Sequence, residues 1–348
     1  MEVEDYMKKN KCNEIHIKSD KKSKCTFIFA MNSEYADKGN GGTRMMNYGS
    51  LKEGIEDATK LIDVMTKKCI IIGKKYNGGY SGGKGVIVGN PKTQKTPDML
   101  RRYGEFVQSF NGRFQTGTDM NINLKDINYM AEKSEFIDGL ESGLGDTAIP
   151  TAYGILVSMK VMCKNRFGSN SLKGKKIAIQ GVGSVGENLI KYLIKEEADI
   201  IASDVDTKKL EMIGKKYKIK IVKPSEIYAV SCDIFSPNAC GGILTSKNIN
   251  QLKCEMIIGA ANNPLSNGLE TVKLINNKKI IYVPDYIVNI GGVFLSMCEV
   301  QKKSFNYVIK KLKEIIEIRL QQILKECKRN ESLFESSERL IERERNLK

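Results

Sequence analysis

The sequence predicts an α/β chain in two parts, an N-terminal α/β domain followed by a doubly wound parallel sheet. Three observations predict it. From about residue 174, short apolar runs alternate with helical stretches, the pattern of a parallel sheet covered on both faces. A glycine-rich turn at 181–186 joins one of these runs to a helix. The earlier part mixes alternating segments with a helical stripe, and a length of 348 residues accommodates about two domains.

Residues 14–18 and 25–30 read as two short strands joined by the turn-like Ser19-Asp20-Lys21-Lys22-Ser23. In the first, Glu14-Ile15-His16-Ile17-Lys18 alternates polar and apolar, which places His16 on a polar, solvated face. Residues 51–65 carry Leu51, Ile55, Ala58, Leu61, Ile62 and Met65 on one helical stripe. Between 73 and 89, glycines at 73, 78, 79, 82, 83, 85 and 89 allow the backbone to approach a ligand closely, although a flexible loop has the same look. Candidate buried strands follow at 177–179, 200–202, 219–222, 233–235, 256–258 and 280–283, separated in several places by helical stretches such as 187–195. Residues 304–327 read as a long amphipathic helix, and the tail after it is highly charged.

Composition excludes several functions. The nine cysteines are scattered, with no Cys-x-x-Cys pair, so neither a disulfide framework nor a zinc ribbon is expected, and no metal site is. With His16 as the only histidine, acid/base work falls to Lys, Asp, Glu, Tyr or Cys. No apolar run reaches the ~18 residues of a membrane span, and the acidic N-terminus lacks a signal peptide's apolar region, so a cytoplasmic protein without a membrane partner is expected. The net charge of +15 raises nucleic acid as a partner, but the lysines are spread along the chain without a basic block or a binding motif. A basic solvated surface is the better account.

Gly181-Val182-Gly183-Ser184-Val185-Gly186 matches GxGxxG between a strand at 176–180 and a helix, and Asp204 ends the next strand. The first glycine permits the tight turn, the second admits a pyrophosphate, the third lets helix and strand pack, and the helix N-terminus attracts phosphate charge. Asp204 would accept from the adenine ribose hydroxyls and repel a 2'-phosphate. The pattern indicates a Rossmann-type domain with NAD as cofactor, preferred over NADP.

Lys84 follows Ser81-Gly82-Gly83, Lys68 precedes it in the chain, and Asp119 follows Thr116-Gly117-Thr118. An amino-acid or keto-acid site needs a cation for the α-carboxylate and a group that exchanges protons near neutral pH, which lysine does only where burial or a neighbouring cation lowers its pKa. Gly41-Gly42-Thr43-Arg44-Met45, Met65-Thr66-Lys67-Lys68, Gly82-Gly83-Lys84, Gly112-Arg113-Phe114, Thr151-Ala152-Tyr153-Gly154, Ala260-Ala261-Asn262-Asn263 and the segment from Pro284 through Asn289 to Gly292 occur in one order. Over residues 14–300 this resembles the Glu/Leu/Phe/Val amino-acid dehydrogenase family, the leucine enzymes most of all. The resemblance implies a catalytic domain at 1–145, an NAD-binding Rossmann domain at 146–303, a cleft between them, and C-terminal helices at 304–348 returning to the first domain. It further implies a homo-oligomer. By the same resemblance Lys84 is the catalytic lysine that activates water, Asp119 assists proton transfer, and Lys68 binds the substrate carboxylate. Gly42, Asn40, Asn263 and Asn289 would line the substrate, while Thr151 and Asn262 join the glycine turn and Asp204 at the cofactor. The implied reaction converts an aliphatic, leucine-like L-amino acid reversibly to its 2-keto acid and ammonia.

Two departures bear on this. The interval from Gly73 to Lys84 contains Lys74-Lys75-Tyr76-Asn77-Gly78-Gly79-Tyr80, a few residues longer than the family's linker. Asn40 replaces an apolar residue of the leucine enzymes' side-chain pocket, where an aliphatic substrate would leave a polar group unpaired. Alternatives are a glutamate dehydrogenase, for which Lys74 or Lys75 would have to turn inward, a phenylalanine dehydrogenase, and an NAD-binding regulator whose insertion disables the site.

Overall fold

The computed structural model describes residues 2–140 and 143–346. The chain forms two compact units: Met1–Asp146 with Val293–Phe305 and Glu344–Lys348, and Thr147–Gly292 with Asn306–Arg343.

The first unit contains α1 (Val3–Lys9), β1 (Glu14–Asp20), β2 (Cys25–Met31), β3 (Lys38–Asn40), β4 (Thr43–Met46), α2 (Leu51–Lys60), α3 (Ile62–Ile72), β5 (Tyr80–Val88), α4 (Pro97–Gln108), β6 (Phe114–Gln115) and α5 (Leu124–Ala131). The strands lie in the order β1-β2-β5-β3-β6, and β4 pairs with the later half of β5. β1, β2 and β5 are antiparallel, whereas β3 and β4 run parallel to β5. Alternation along β2 sends Phe27, Phe29 and Met31 into a core with Tyr103 and Phe106 of α4 and Ile127 and Met130 of α5, while Ile28 and Ala30 join Ile55, Ala58 and Ile62 of α2 and α3.

Three expectations change here. The later part of the glycine-dense stretch is the buried middle strand β5, where neighbouring backbone fills the space of a side chain at Gly82 and Gly83 and the Thr43 and Tyr103 side chains fill it at Gly85. The single helix expected at 51–65 is two, broken at Leu61, and the second runs over β5 at Gly82. His16 is only in part on a solvated face: its side chain is 37% exposed and meets Glu14 (3.2 Å), but the ring also stacks on Phe29 (5.6 Å between centroids) and meets Phe110 edge-on (4.9 Å), while Ile17 is exposed. The aromatic cluster on that side of the sheet outweighs the polar character of one imidazole.

The second unit begins with α6 (Ala148–Phe167) and continues β7 (Lys176–Gln180), α7 (Ser184–Lys195), β8 (Asp199–Ser203), α8 (Thr207–Tyr217), β9 (Lys220–Ile221), β10 (Ile234–Pro237), α9 (Ser246–Gln251), β11 (Met256–Ile257), α10 (Gly268–Asn277), β12 (Ile281–Tyr282) and α11 (Asp285–Val288). Its strands, all parallel, lie in the order β12-β11-β10-β7-β8-β9, the doubly wound arrangement expected, with its switch point between β7 and β10. All six expected strand positions are occupied.

The remaining helices are α12 (Gly291–Val300), α13 (Phe305–Glu326) and α14 (Leu333–Arg345). Here the division differs from the expected boundaries at 303 and 304. Most of α12 belongs to the first unit, where Ser296 and Glu299 bond to Asp138 and Gly139. By contrast α13 and α14 lie in the second unit: Ile316 packs at Gly154 of α6, and Tyr286 of α11 donates to Glu338 (2.6 Å). Only the end of the chain returns, with Arg345 donating to Asp63 of α3 (2.7 Å). Amphipathic spacing shows that a helix has a buried face but not which unit covers it. No described helix is long and apolar enough to cross a membrane.

The turn after β7 separates the three glycines by what surrounds them. Gly181 has φ +97°, and a Cβ on Gly186 would stand 2.1 Å from the Gly181 carbonyl oxygen, so α7 could not close on β7 with a side chain there. A Cβ on Gly183 meets nothing within 4 Å. Thermal unfolding should therefore show Gly186→Ala destabilised by about 1–3 kcal/mol and Gly183→Ala within about 1 kcal/mol of the native chain. Equal losses would show that space does not distinguish them.

Candidate functional site

Side chains alternate along β5, so Gly82, Lys84 and Val86 share the face covered by α2 and α3. At Gly82 the helix lies on the strand: a Cβ there would stand 2.4 Å from the Ile62 carbonyl oxygen, and the Gly82 N–H donates to Thr66 Oγ1 (3.2 Å). Lys68 follows two residues after Thr66 and Lys84 two after Gly82. Lys84 therefore shares the strand face that meets α3, and both lysines, Lys68 and Lys84, are nearly sealed, 5% and 4% exposed.

Lys84 forms an ion pair with Asp119 Oδ2, which also accepts from Arg44 Nε (2.9 Å). Arg44 Nη1 donates to both carboxylate oxygens of Asp57 (3.1 Å each), and the Tyr48 hydroxyl donates to Asp57 Oδ2. Gly42 allows this meeting, since a Cβ on it would lie 2.5 Å from the Thr118 carbonyl oxygen and 3.0 Å from Asp119 Cβ. Its part in the geometry is a close backbone approach. Burial pushes the Asp119 carboxyl up, but the Lys84 and Arg44 cations outweigh it and hold it at about 2. Burial lowers the Lys84 ammonium; Asp119 opposes that shift and Arg44 adds to it. Of the pair, the amine is therefore the member whose proton burial loosens, and the carboxylate stays ionised.

The longer interval before Lys84 folds on itself. The N–H groups of Tyr76 and Asn77 donate to the Gly73 carbonyl (2.9 and 3.0 Å), and the buried Asn77 amide donates to the Cys69 carbonyl at the end of α3 (3.2 Å). Lys84 keeps its register opposite Ala30. Lys74 and Lys75 are exposed, over the rings of Tyr35 and Tyr76 at 5.8 and 5.4 Å.

Asn40 ends β3, opposite Gly82 on one side and Gln115 of β6 on the other, and so shares the face of Lys84. Its amide donates to Ser296 Oγ (3.3 Å) and Asp138 Oδ2 (3.5 Å), and the Ser296 hydroxyl donates to the same carboxylate oxygen. Glu299 accepts from Gly139 N–H (3.3 Å) through Oε1, while its buried Oε2 has no partner. Gln115 Oε1 has none either, in a side chain 2% exposed. Burial pushes the Asp138 carboxyl up to about 6, the Ser296 and Asn40 hydrogen bonds opposing and the Glu299 charge reinforcing the shift. Among the described residues no cation pairs with Asp138.

In the second unit the Val182 N–H donates to Asp204 Oδ2 (2.7 Å) and the Asp206 N–H to Asp204 Oδ1 (2.9 Å), fixing the carboxylate at the glycine turn. Ser184 and Val185 open α7, whose N-cap Gly183 offers no side chain to its amides. Asn289 donates to the Ala260 carbonyl (3.0 Å) and to Asn262 Oδ1 (2.9 Å), and its own buried Oδ1 has no partner. The Asn263 N–H donates to Asp285 Oδ2 (3.0 Å) at φ +49°. Thr151 lies in the first turn of α6, donates to the Thr147 carbonyl (2.8 Å) and packs at Gly292. Asn238, which the sequence did not single out, links these groups: its N–H donates to the Gln180 carbonyl (2.7 Å), and its Oδ1 accepts from Ala260 N–H (3.0 Å). Open space at Gly183, an uncapped helix N-terminus and an unpaired acceptor on Asn289 fit a dinucleotide.

Sequence reasoning found the lysines, Asp119 and the glycine turn but gave no role to Arg44, although it lies within a quoted motif. Asp57, Asp138, Gln115, Ser296 and Glu299 had no local signal, because each is defined by partners distant in the chain.

Residues 12–136 match the family described as Glu/Leu/Phe/Val dehydrogenase, dimerisation domain, and residues 143–208 and 202–340 match Glutamate/Leucine/Phenylalanine/Valine dehydrogenase. Phenylalanine dehydrogenase of Lysinibacillus sphaericus is 40% identical over 283 residues, 79% of this chain and 73% of that protein. Leucine dehydrogenase of Geobacillus stearothermophilus is 35% identical over 318 residues, 90% and 85% of the two. The crystal structure of L-tryptophan dehydrogenase from Nostoc punctiforme superposes with a TM-score of 0.83 at 31% identity, covering 98% of each chain. With both units matched and the lysine and dinucleotide elements in place, the chain belongs to the Glu/Leu/Phe/Val dehydrogenase family of NAD-dependent oxidoreductases acting on the CH–NH2 group of amino acids.

Proposed function

We propose that the chain catalyses the reversible oxidative deamination of an L-amino acid through Lys68, Lys84 and Asp119. The buried Lys84–Asp119 pair beside Arg44 carries the proposal. NAD, when bound, accepts the hydride leaving the substrate Cα. Lys68 neutralises the α-carboxylate. Lys84, its proton affinity lowered by burial, takes a proton from the reacting amine or from water; water then adds to the imine carbon, ammonia leaves, and the 2-keto acid remains. Asp119 stays ionised and holds the lysine nitrogen in place rather than exchanging the proton itself. The glycine turn and α7 would hold the pyrophosphate and Asp204 the adenine ribose, the basis for favouring NAD over NADP. Thr151, Asn262, Asn263 and Asn289 would serve the nicotinamide and substrate ends. A homo-oligomer is supported by the dimerisation-domain description that residues 12–136 match.

The leucine-like preference expected from the sequence has divided support. The phenylalanine enzyme is 40% identical over 283 residues, the tryptophan enzyme 40% over a shorter stretch of 253, and the leucine enzyme 35% over 318. An aliphatic side chain would also leave Asn40, Gln115 and Asp138 facing apolar atoms. A glutamate substrate would need the inward cation that exposed Lys74 and Lys75 do not supply. The regulator reading is disfavoured by the compact turn at 73–79, which keeps Lys84 in register.

The purified chain should form NADH with at least one L-amino acid, far faster than NADPH from NADP, and Lys84→Ala should lose about 10³-fold or more in kcat while retaining NAD binding in calorimetry. No NADH formation across a full amino-acid panel, together with no NADH loss with keto acids and ammonium, would sink the reading. Since the lysine must be unprotonated to act, kcat/KM for deamination should rise with pH through an apparent pKa below the ordinary lysine range. Arg44→Met, which removes a cation from beside Lys84, should move that profile to higher pH, whereas an unmoved profile removes Arg44 from this role. For Asp138 the folded-state pKa lies above the unfolded one, so its contribution is fully favourable only below about pH 4 and is lost as pH rises to about 6, a penalty on the order of 3 kcal/mol above that. Asp138→Asn should therefore have a higher Tm than the native chain at pH 7.5, with the gain shrinking toward pH 4; a lower Tm at both pH values would contradict this.

A further inference from the structure

Hydrogen-bond accounting leaves the group around Asn40 short of donors. Asn40 and Ser296 already direct theirs to Asp138. Against them stand the Asp138 carboxylate, a buried Glu299 Oε2 without a partner and, 2% exposed, the unpartnered Oε1 of Gln115. Gln115 pairs in register with Asn40 on adjacent parallel strands, so both side chains leave the same face of the sheet at one level. A buried acceptor set of this composition is completed by N–H donors carrying positive charge.

Its place relative to Lys84 follows from the strand. Asn40 lies opposite Gly82, and Lys84 is two residues farther along β5 on the same face, about 8 Å from Asn40 between Cα positions at the usual strand rise and spacing. The five bonds from the Cα of an extended lysine side chain to its ammonium, about 1.5 Å each, span about 6 Å when staggered. An amino acid reacting at Cα beside Lys84 has the reach to put an ω-ammonium group among these acceptors.

We propose that the side-chain end of this site binds a cation, making an L-2,ω-diamino acid the preferred substrate class, with Asp138 as its counter-ion and Asn40, Gln115 and Glu299 as supporting acceptors. This rests on the amino-acid dehydrogenase reading above, with the α-carboxylate on Lys68. Asn40 then acts in specificity by orienting the Asp138 carboxylate through its amide. An uncharged aliphatic side chain would bury the same groups without satisfying them.

The deciding comparison is L-lysine and L-ornithine against L-norleucine, which has the carbon chain of lysine without the ω-ammonium, and against L-leucine, L-phenylalanine and L-glutamate. NADH formation by the full chain should show kcat/KM for a diamino acid at least tenfold above that for norleucine, and Asp138→Asn should reduce that ratio at least tenfold, mainly through KM. Norleucine, leucine or phenylalanine outperforming both diamino acids in the native chain overturns the proposal without any variant, as does a ratio unchanged in Asp138→Asn. If no amino acid is oxidised, the dehydrogenase reading fails separately. Calorimetry with lysine and norleucine then decides the pocket: tighter lysine binding that is lost in Asp138→Asn supports it, and equal binding overturns it.

Discussion

Burying an ammonium group on a middle strand is the constraint around which the first unit is built. Lys84 is sealed between β5 and the helices that cover it, where a lone charge would be expelled or neutralised. Asp119 opposes the fall in the lysine's proton affinity that burial brings, and Arg44 acts in the other sense. Each of these groups needs its own support. Asp57 and Tyr48 anchor Arg44, Gly42 lets the Thr118–Asp119 backbone come close, and Gly82 lets α3 lie on the strand. Removing the ammonium would leave most of that architecture without a reason.

The second unit meets a different constraint, set by a diphosphate's size and charge. Two of its three fingerprint glycines are demanded by the protein's own backbone, at Gly181 by conformation and at Gly186 by the contact between turn and helix. The third faces open space, so its missing side chain is explained by what is bound rather than by how the chain folds. Asp204 is tied to the turn itself through the Val182 amide, which fixes its carboxylate beside the three glycines. The carboxylate beside the turn is thus held by backbone hydrogen bonds, the most rigid groups at hand.

The polar group around Asp138 stands apart because it works against stability. A carboxylate pushed up to about 6 by burial is one the fold carries at a loss whenever it is ionised. Such strain is commonly held at binding sites, where a ligand supplies the missing partner. The neighbouring unpaired oxygens of Gln115 and Glu299 have the same sense, a surplus of acceptors over donors.

Local pattern determined a large part of this. Period-2 and period-3.6 spacing located the strands and helices of the doubly wound sheet, and the spacing of glycines between strand and helix identified the dinucleotide turn, because the physics of both acts within a few residues. The resemblance in ordered motifs singled out Lys68, Lys84 and Asp119, of which the structure pairs Lys84 with Asp119. Pattern failed where the deciding partner was remote: His16 turned toward Phe29 and Phe110, the later part of the glycine-dense stretch became β5, and α13 went to the second unit because of Gly154 and its neighbours. The charge environment was likewise decided only in three dimensions. Arg44 reaches Asp119 across 75 positions, and Asn40 reaches Ser296 across 256. Sequence by itself determined the reaction class, since that depends on motif chemistry; the burial and pairing of the charges were left to the tertiary structure, since they arise only when distant segments meet.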